Sequence, residues 1–380
     1  MESFSFYNPT KVQFGVGMIR KLGSEMMNAG VKHCLLIAGR GSIKQNGVYN
    51  QVMESLSGCS ISVSEVWGVQ ANPTLNKVKE IISFAKEKQV DAILAVGGGS
   101  VIDTAKSVAA GVYLNDVWNA FTDVEKITQA LPIFTVLTIS ASGSELNSNA
   151  VITNTDKLQK WSFTSQHVFP KVTFIDPTVQ CSLPFKLTAN GAIDAMSHIM
   201  EYYFSNNKAL STLCINDALL KNIVKMTDIL QHNPSDLVAR SNLAWSASLA
   251  LSGITGIGMR GGDWACHQIE HAISALHPDI AHGEGLGVIF PAWVEYMSEK
   301  NPSLFLRWAK NVWGEDKVAL GVRRARDKID SWGMATSLRD LGIKENELSE
   351  IAKLIMHDSE VGGISKFRSH DIEALLMLAY

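Results

Sequence analysis

Thiol pairs, long apolar runs and an excess of charge are all missing from this 380-residue sequence. The five cysteines, Cys34, Cys59, Cys181, Cys214 and Cys266, are odd in number and widely spread, and no two have Cys-x-x-Cys spacing. That excludes the usual thiolate zinc pattern and a dithiol redox centre. It predicts a reducing, cytoplasmic setting in which the cysteines fill apolar space. The longest apolar stretches, such as 243–253, fall short of the ~20 residues that span a bilayer, so no membrane partner is expected. The opening MESFSFYNPTKVQF has no basic region followed by an apolar run and does not read as a signal peptide. With a net charge of −3 there is no basic field to draw nucleic acid. Internal repeats and low-complexity linkers are lacking too.

What is present suits a well-buried globular enzyme: 46% apolar and 19% charged residues, in a chain long enough for two domains. The first half alternates. KVQF, HCLLIAG (33–39), ISVSEVW (61–67), the run DAILAV before Gly97 and PIFTVLTI (132–139) read as strands, with helical patterns between them. Such alternation implies right-handed crossovers and a mainly parallel sheet. AVIT, KWSF and VTFID (150–176) read as shorter strands that close this region. After Pro184 the spacing turns helical. Helices are predicted over 186–203, 209–230, 235–255, 262–276, 283–297, 302–313, 317–331 and 345–357. The expected architecture is therefore a Rossmann-like α/β dinucleotide-binding domain over 1–184 and an all-helical domain over 185–380. Ligands commonly bind between domains.

Two loops of the first half carry chemistry. Gly97-Gly98-Gly99-Ser100 follows a buried strand and precedes a helix. Glycines there let backbone approach a ligand, and the helix start offers N–H groups and a positive dipole end suited to a pyrophosphate. A tight strand–helix turn would explain one glycine; three followed by a serine favour phosphate. The pattern is neither G-x-G-x-x-G nor a P-loop. The second loop, Thr138 to Glu145, concentrates hydroxyls around Gly143, as a loop touching a sugar or phosphate would, although serine and glycine also favour plain loops. Strand LLIAG ends in Gly39-Arg40-Gly41-Ser42, with Lys44 nearby. No carboxylate stands there to hold a ribose 2′-hydroxyl, and donors for a 2′-phosphate do, so NADP is expected over NAD. The plainer alternative is that Arg40 and Lys44 are solvated surface charges.

In the second half, Asp194 and His198 are four apart, as are His267 and His271; His277 and His282 follow. On a helix four residues rise roughly 6 Å and nearly complete a turn, so each pair shares a face and can converge on one ion. A single histidine on an apolar helix is more often a hydrogen-bonded core residue. The whole set beside an aspartate favours a divalent metal held by one carboxylate and three imidazoles. Spacing leaves open which histidines bind. His267 and His271 have the H-x-x-x-H spacing, but Gln268 stands where the zinc proteases carry glutamate. His282 can return from the next helix, and His277, before Pro278, suits a loop. Ligand type does not separate Fe(II), Zn(II), Co(II) and Mn(II).

These motifs stand in a specific order: Phe14-Gly15-x-Gly17, Asn72-Pro73-Thr74, GGGS-x-x-D-x-A-K from Gly97 to Lys106, Gly143-Ser144-Glu145, Asp176-Pro177, Asp194-x-x-x-His198, His267-x-x-x-His271 and Ala281-His282-Gly283. Across nearly its whole length the chain resembles the iron-containing (group III) alcohol dehydrogenase family, and most of all its branch of butanol dehydrogenases and NADPH-dependent aldehyde reductases. The resemblance implies metal ligands at Asp194, His198, His267 and His282, and a non-ligand His271 beside the nicotinamide, available for proton relay. It implies cofactor contacts at Gly97, Gly98, Gly99, Ser100, Asn72, Asp103, Thr138, Ser140, Ser142 and Lys160. Gly39, Gly41 and Ser42 would discriminate NADP from NAD. Two departures are a one-residue longer stretch from His267 to His282 than in some relatives, and Ser142 where threonine is common. The implied reaction is metal-assisted hydride transfer between NADP(H) and short primary alcohols or aldehydes such as butanol and butyraldehyde. A homodimer is also implied, with SFSFYN as a candidate pairing edge. Rival readings are a lyase of the dehydroquinate synthase type, an NAD enzyme like glycerol dehydrogenase, and a non-catalytic metal- or nucleotide-binding protein. The apolar surroundings of the metal motifs, GAIDAMSHIM and WACHQIEH, disfavour the charged substrate of the lyase.

Overall fold

Short apolar runs closed by glycine or polar turns become the strands. We describe them on a computed structural model that covers every residue except 207, 300–301 and 359–360. The strands are β1 (Lys11–Phe14), β2 (His33–Ala38), β3 (Ser62–Val66), β4 (Ala92–Gly97), β5 (Ile133–Leu137), β6 (Asn149–Asn154), β7 (Gln159–Thr164) and β8 (Val172–Ile175). Six of them form a parallel sheet in the order β1-β8-β5-β4-β2-β3. β4 and β5 are buried on both faces, as continuous apolar runs require. Alternate residues feed two cores: Ile93 and Ala95 pack on one side, Ala92, Leu94 and Val96 on the other.

Helices α1 (Leu22–Asn28), α2 (Ser42–Gln45), α3 (Val48–Ser57), α4 (Leu75–Lys88), α5 (Gly99–Gly111) and α6 (Asn119–Thr122) lie along this part of the chain. From β2 the chain moves outward to β3, then returns to β4 on the other side of β2. The loops after β2 and β4 therefore flank a topological switch point, where open α/β sheets bind ligands. The loop after β5 lies next to them, since Thr138 N donates to Gly97 O at 3.0 Å.

The stretch 150–176 forms the three short strands read from the sequence, and the structure adds how they pair. β6 and β7 do not close the sheet; they form a separate antiparallel hairpin, and β8 inserts between β1 and β5. The alternating, partly polar pattern of KWSF suits a two-stranded ribbon, whereas VTFI is buried throughout. Residues 3–8 form no strand; the sheet edges are β1 and β3. Asp176 ties two of the sequence motifs together, accepting from Gly17 N and from the Thr178 N–H and hydroxyl.

The second half is helical: α7 (Phe185–Tyr203), α8 (Leu210–His232), α9 (Leu237–Ala250), α10 (Ala265–Leu276), α11 (His282–Ser298), α12 (Pro302–Trp308), α13 (Val318–Ser331), α14 (Leu348–Asp358) and α15 (Ser369–Ala379). The last was not among the predicted helices. The predicted helix over 302–313 stops at Trp308, and a π-turn spans Ala309–Trp313. The one over 235–255 ends at Ala250, because Gly253 takes a left-handed turn at φ 95°.

The chain divides into two compact units: Tyr7–Leu183 with Asn233–Ser248, and Met1–Phe6 with Pro184–His232 and Leu249–Tyr380. The helical unit takes up the chain at Pro184, and two segments sit outside a single cut. Residues 1–6 belong to the helical unit, where Glu2 N bonds Gly258 O and Glu2 Oε1 pairs with Arg260 at 3.1 Å. Residues 233–248 belong to the sheet unit, where Ala244 joins the core and Trp245 meets Phe14 edge-on. No described helix is long and apolar enough to cross a membrane.

Candidate active site

Three helices of the helical unit bring the titratable groups together. On α7, Asp194, His198 and Glu201 recur at i, i+4 and i+7, which places them on one stripe. On α10, His267, Glu270 and His271 fall at i, i+3 and i+4. α11 starts at His282. One ligand atom from each of Asp194, His267 and His282 lies within 4.8 Å of the other two. Asp194 Oδ1 is the focus, 3.5 Å from His198 Nδ1 and 3.7 Å from His282 Nε2. His198 lies outside the tightest three, but its ring is 4.7 Å from that of His267, centroid to centroid. His271 is half-buried, with its ring 5.5 Å from that of His282. His277 lies apart and pairs with Glu347 at 3.0 Å.

A close helix approach makes this possible. A Cβ on Gly283 would stand 2.1 Å from the Asn190 backbone oxygen of α7, so glycine after His282 lets the two backbones meet. Burial and the neighbouring imidazoles push His198 well below the usual histidine range. The ring is thus kept neutral, the form that binds metal. His198 Nδ1 is buried and makes no hydrogen bond. A buried carboxylate and imidazoles converging within a few ångströms fit a divalent ion.

Two carboxylates went unnoticed in the sequence. Glu201 Oε1 pairs with His267 Nδ1 at 2.7 Å and accepts from His267 N at 3.3 Å, while Oε2 accepts from Trp264 N. Burial raises Glu201 to about 8. Glu270 bonds His282 Nδ1 through one oxygen and the Ser274 hydroxyl through the other. The signal was present as helical spacing: Glu201 is seven residues past Asp194, and Glu270 three past His267.

In the sheet unit the predicted cofactor loops lie side by side at the carboxyl ends of β2, β4 and β5. Gly97, Gly98 and Gly99 are explained by the protein's own packing. Added Cβ atoms would meet Val101 Cγ2 at 2.5 Å, Ile139 Cγ2 at 2.1 Å and Ser142 Oγ at 2.2 Å. Ser100 donates to Ala71 O, next to Asn72. Ser140 donates to Gln180 Oε1 at 2.9 Å, and Ser142 Oγ accepts from Ser144 N at 3.3 Å. Thr138 lies at the end of this cluster, and Lys160 is buried on β7. Asp103 turns inward: it accepts from the Ser144 hydroxyl at 2.6 Å and from Val151 N at 3.1 Å. Gly41 has φ 120°, and Ser42 opens the short helix α2. Lys44 Nζ sits 4.1 Å over the Trp67 ring and 5.0 Å from the Tyr49 ring centre. Both aromatic residues donate to Glu65, Tyr49 Oη at 2.6 Å and Trp67 Nε1 at 2.9 Å.

Comparison with known proteins places the chain in one family. Residues 9–177 match the iron-containing alcohol dehydrogenase family model, and residues 188–380 match the C-terminal model of the same family. The chain is 36% identical to NADH-dependent butanol dehydrogenase A of Clostridium acetobutylicum over 100% of both chains. It is 30% identical to an NADPH-dependent aldehyde reductase of Escherichia coli, covering 98% of this chain and 97% of that one. The crystal structure of NADH-dependent butanol dehydrogenase A from Thermotoga maritima superposes with a TM-score of 0.97 at 45% identity, over 100% of this chain and 99% of that one.

Proposed function

Since the chain belongs to the iron-containing alcohol dehydrogenase family, we propose that it interconverts short primary alcohols and aldehydes, such as butanol and butyraldehyde, with NADP(H). The observation that carries this reading is the convergence of Asp194, His267 and His282 on one buried point, with His198 beside it. Asp194, His198, His267 and His282 would hold the metal. When bound, the ion would supply Lewis-acid polarisation of the substrate oxygen and the nicotinamide the hydride. The apolar helix faces around these residues suit a small uncharged substrate. His271, on the same helix as His267 and half-buried, would pass a proton between the substrate oxygen and water. Gly97 to Ser100, Asn72, Thr138, Ser140, Ser142 and Lys160 would line the dinucleotide. Asp103 would act by holding the Ser144 segment of that loop.

The NADP preference rests on Gly39, Gly41 and Ser42. This turn carries no carboxylate, and the nearby Glu65 is engaged by Tyr49 and Trp67. Relatives named as NADH-dependent favour the alternative cofactor. Comparing kcat/KM for NADPH and NADH decides between them; a higher value with NADH removes the NADP assignment and leaves the reaction class intact. A homodimer in the cytoplasm completes the reading. It is drawn from the family resemblance and from five cysteines that form no disulfide. Light scattering that gave a monomer mass would remove the dimer. Stripping the metal with a chelator is expected to abolish aldehyde reduction, and Asp194→Ala to abolish metal retention and turnover together. Wild-type turnover by that variant would refute the proposed site.

A further inference from the structure

We propose that Glu201 and Glu270 are positioning residues of the metal centre, each fixing the tautomer and orientation of one ligand histidine. The inference rests on the metal reading above. Both side chains are fully buried, Glu201 at 1% exposure and Glu270 at 0%. A buried carboxylate is costly unless hydrogen bonds compensate it. Here the compensation comes from the site itself. Glu201 Oε1 pairs with the ring Nδ1 of His267 and accepts its backbone N–H, and Glu270 pairs with the ring Nδ1 of His282. With Nδ1 engaged as donor, Nε2 is the nitrogen left to face an ion, as in the carboxylate–histidine–metal arrangement.

The two contacts also close a ring of helices. Glu201 links α7 to α10 through His267, Glu270 links α10 to α11 through His282, and His282 returns to Asp194 on α7. Space is reserved for the second link: a Cβ on Gly285 would stand 2.9 Å from Glu270 Cγ. At the first link the backbone is strained. Trp264 has φ 63°, a left-handed conformation unfavourable for an aromatic residue, and Glu201 Oε2 accepts its N–H. The Trp264 ring then meets His267 edge-on, at 5.4 Å between centroids. Glu270, His271 and His282 also offer ligand atoms within 4.8 Å of one another. The direct Glu270–His282 bond makes that trio a support for one ion rather than the seat of a second.

Cobalt binding to the full-length, metal-free chain tests this. The readouts are the Co(II) dissociation constant, from competition with a chelator, and the visible spectrum of the bound ion. Alanine at Glu201 or Glu270 should weaken binding by up to about 100-fold and alter the spectrum. Glu201→Gln and Glu270→Gln keep an oxygen acceptor and should lose only about tenfold, a partial rescue. Wild type should bind one equivalent. Circular dichroism establishes which variants fold, and the glutamine variants carry the test where alanine does not fold. Wild-type affinity and spectrum in the folded variants, or two equivalents bound by wild type, would overturn the inference. Asp194→Ala separates the two readings. If it too binds cobalt like wild type, the metal site itself is wrong. If it loses the ion while the glutamate variants keep it, only the positioning role fails.

Discussion

Lys106 shows how much of a sequence motif can be structural. Its ammonium is wholly buried and donates to Ser144 Oγ, Asn147 O, Asn147 Oδ1 and Asn149 O at 2.8 to 2.9 Å. Together with Asp103 it pins the Ser144–Asn149 segment to α5, behind the hydroxyl loop. Lys106→Met strands several buried acceptors, each costing ~1–3 kcal/mol, so urea denaturation should show a loss of at least about 3 kcal/mol. Burial lowers this lysine to about 8 from its ordinary 10.5. Between those values the unfolded chain holds a proton that the folded chain has released. Stability linked to Lys106 therefore rises with pH across that window and is flat below it. The stability difference between wild type and Lys106→Met should grow from pH 8 to 10; a constant difference would contradict the shift. His271 makes a different prediction. If it relays a proton, His271→Ala should lower kcat about 100-fold while metal content stays unchanged. Loss of the metal instead would make it a ligand.

Among the elements, the pairing of α7 with α11 is the one the site depends on. Gly283→Ala would place a Cβ 2.1 Å from a backbone oxygen that no rotamer change can move. Forcing the helices apart should cost about 1–3 kcal/mol and draw His282 away from Asp194. Lowered thermal stability and weaker metal binding should appear together; an unaltered Kd would show that the approach is not needed. Gly98→Ala, with its Cβ 2.1 Å from Ile139 Cγ2, should destabilise by a similar amount even without cofactor. The strands from β1 to β5 were legible because each is a closed apolar run or alternation, and α7 and α10 because their residues repeat every three or four. The hairpin β6–β7 was not, since short strands carry no mark of which sheet they join. α15 was missed although Ile372, Leu375, Leu376 and Ala379 have helical spacing and are buried. Glu201 and Glu270 escaped because a glutamate in a helix reads as surface charge until its partner, distant in sequence, is known. The glycine loop was located correctly, but its glycines answer first to Val101, Ile139 and Ser142.

For the molecule as a whole, metal binding and stability are one equilibrium. An ion that binds only the folded chain stabilises it by ~2.7 kcal/mol at a concentration 100 times Kd. Chelation should lower the thermal midpoint, and re-addition should restore it; an unmoved midpoint would leave the site without an ion to bind. The proposed division of labour, a dinucleotide on the sheet unit and a metal on the helical unit, becomes chemistry only if both are needed in the same turnover. The most direct test is NADPH consumption with butyraldehyde by chelator-stripped protein, before and after adding Fe(II) or Zn(II). No turnover in the stripped protein and recovery with one equivalent of ion is the predicted result. Equal rates with and without metal would contradict it.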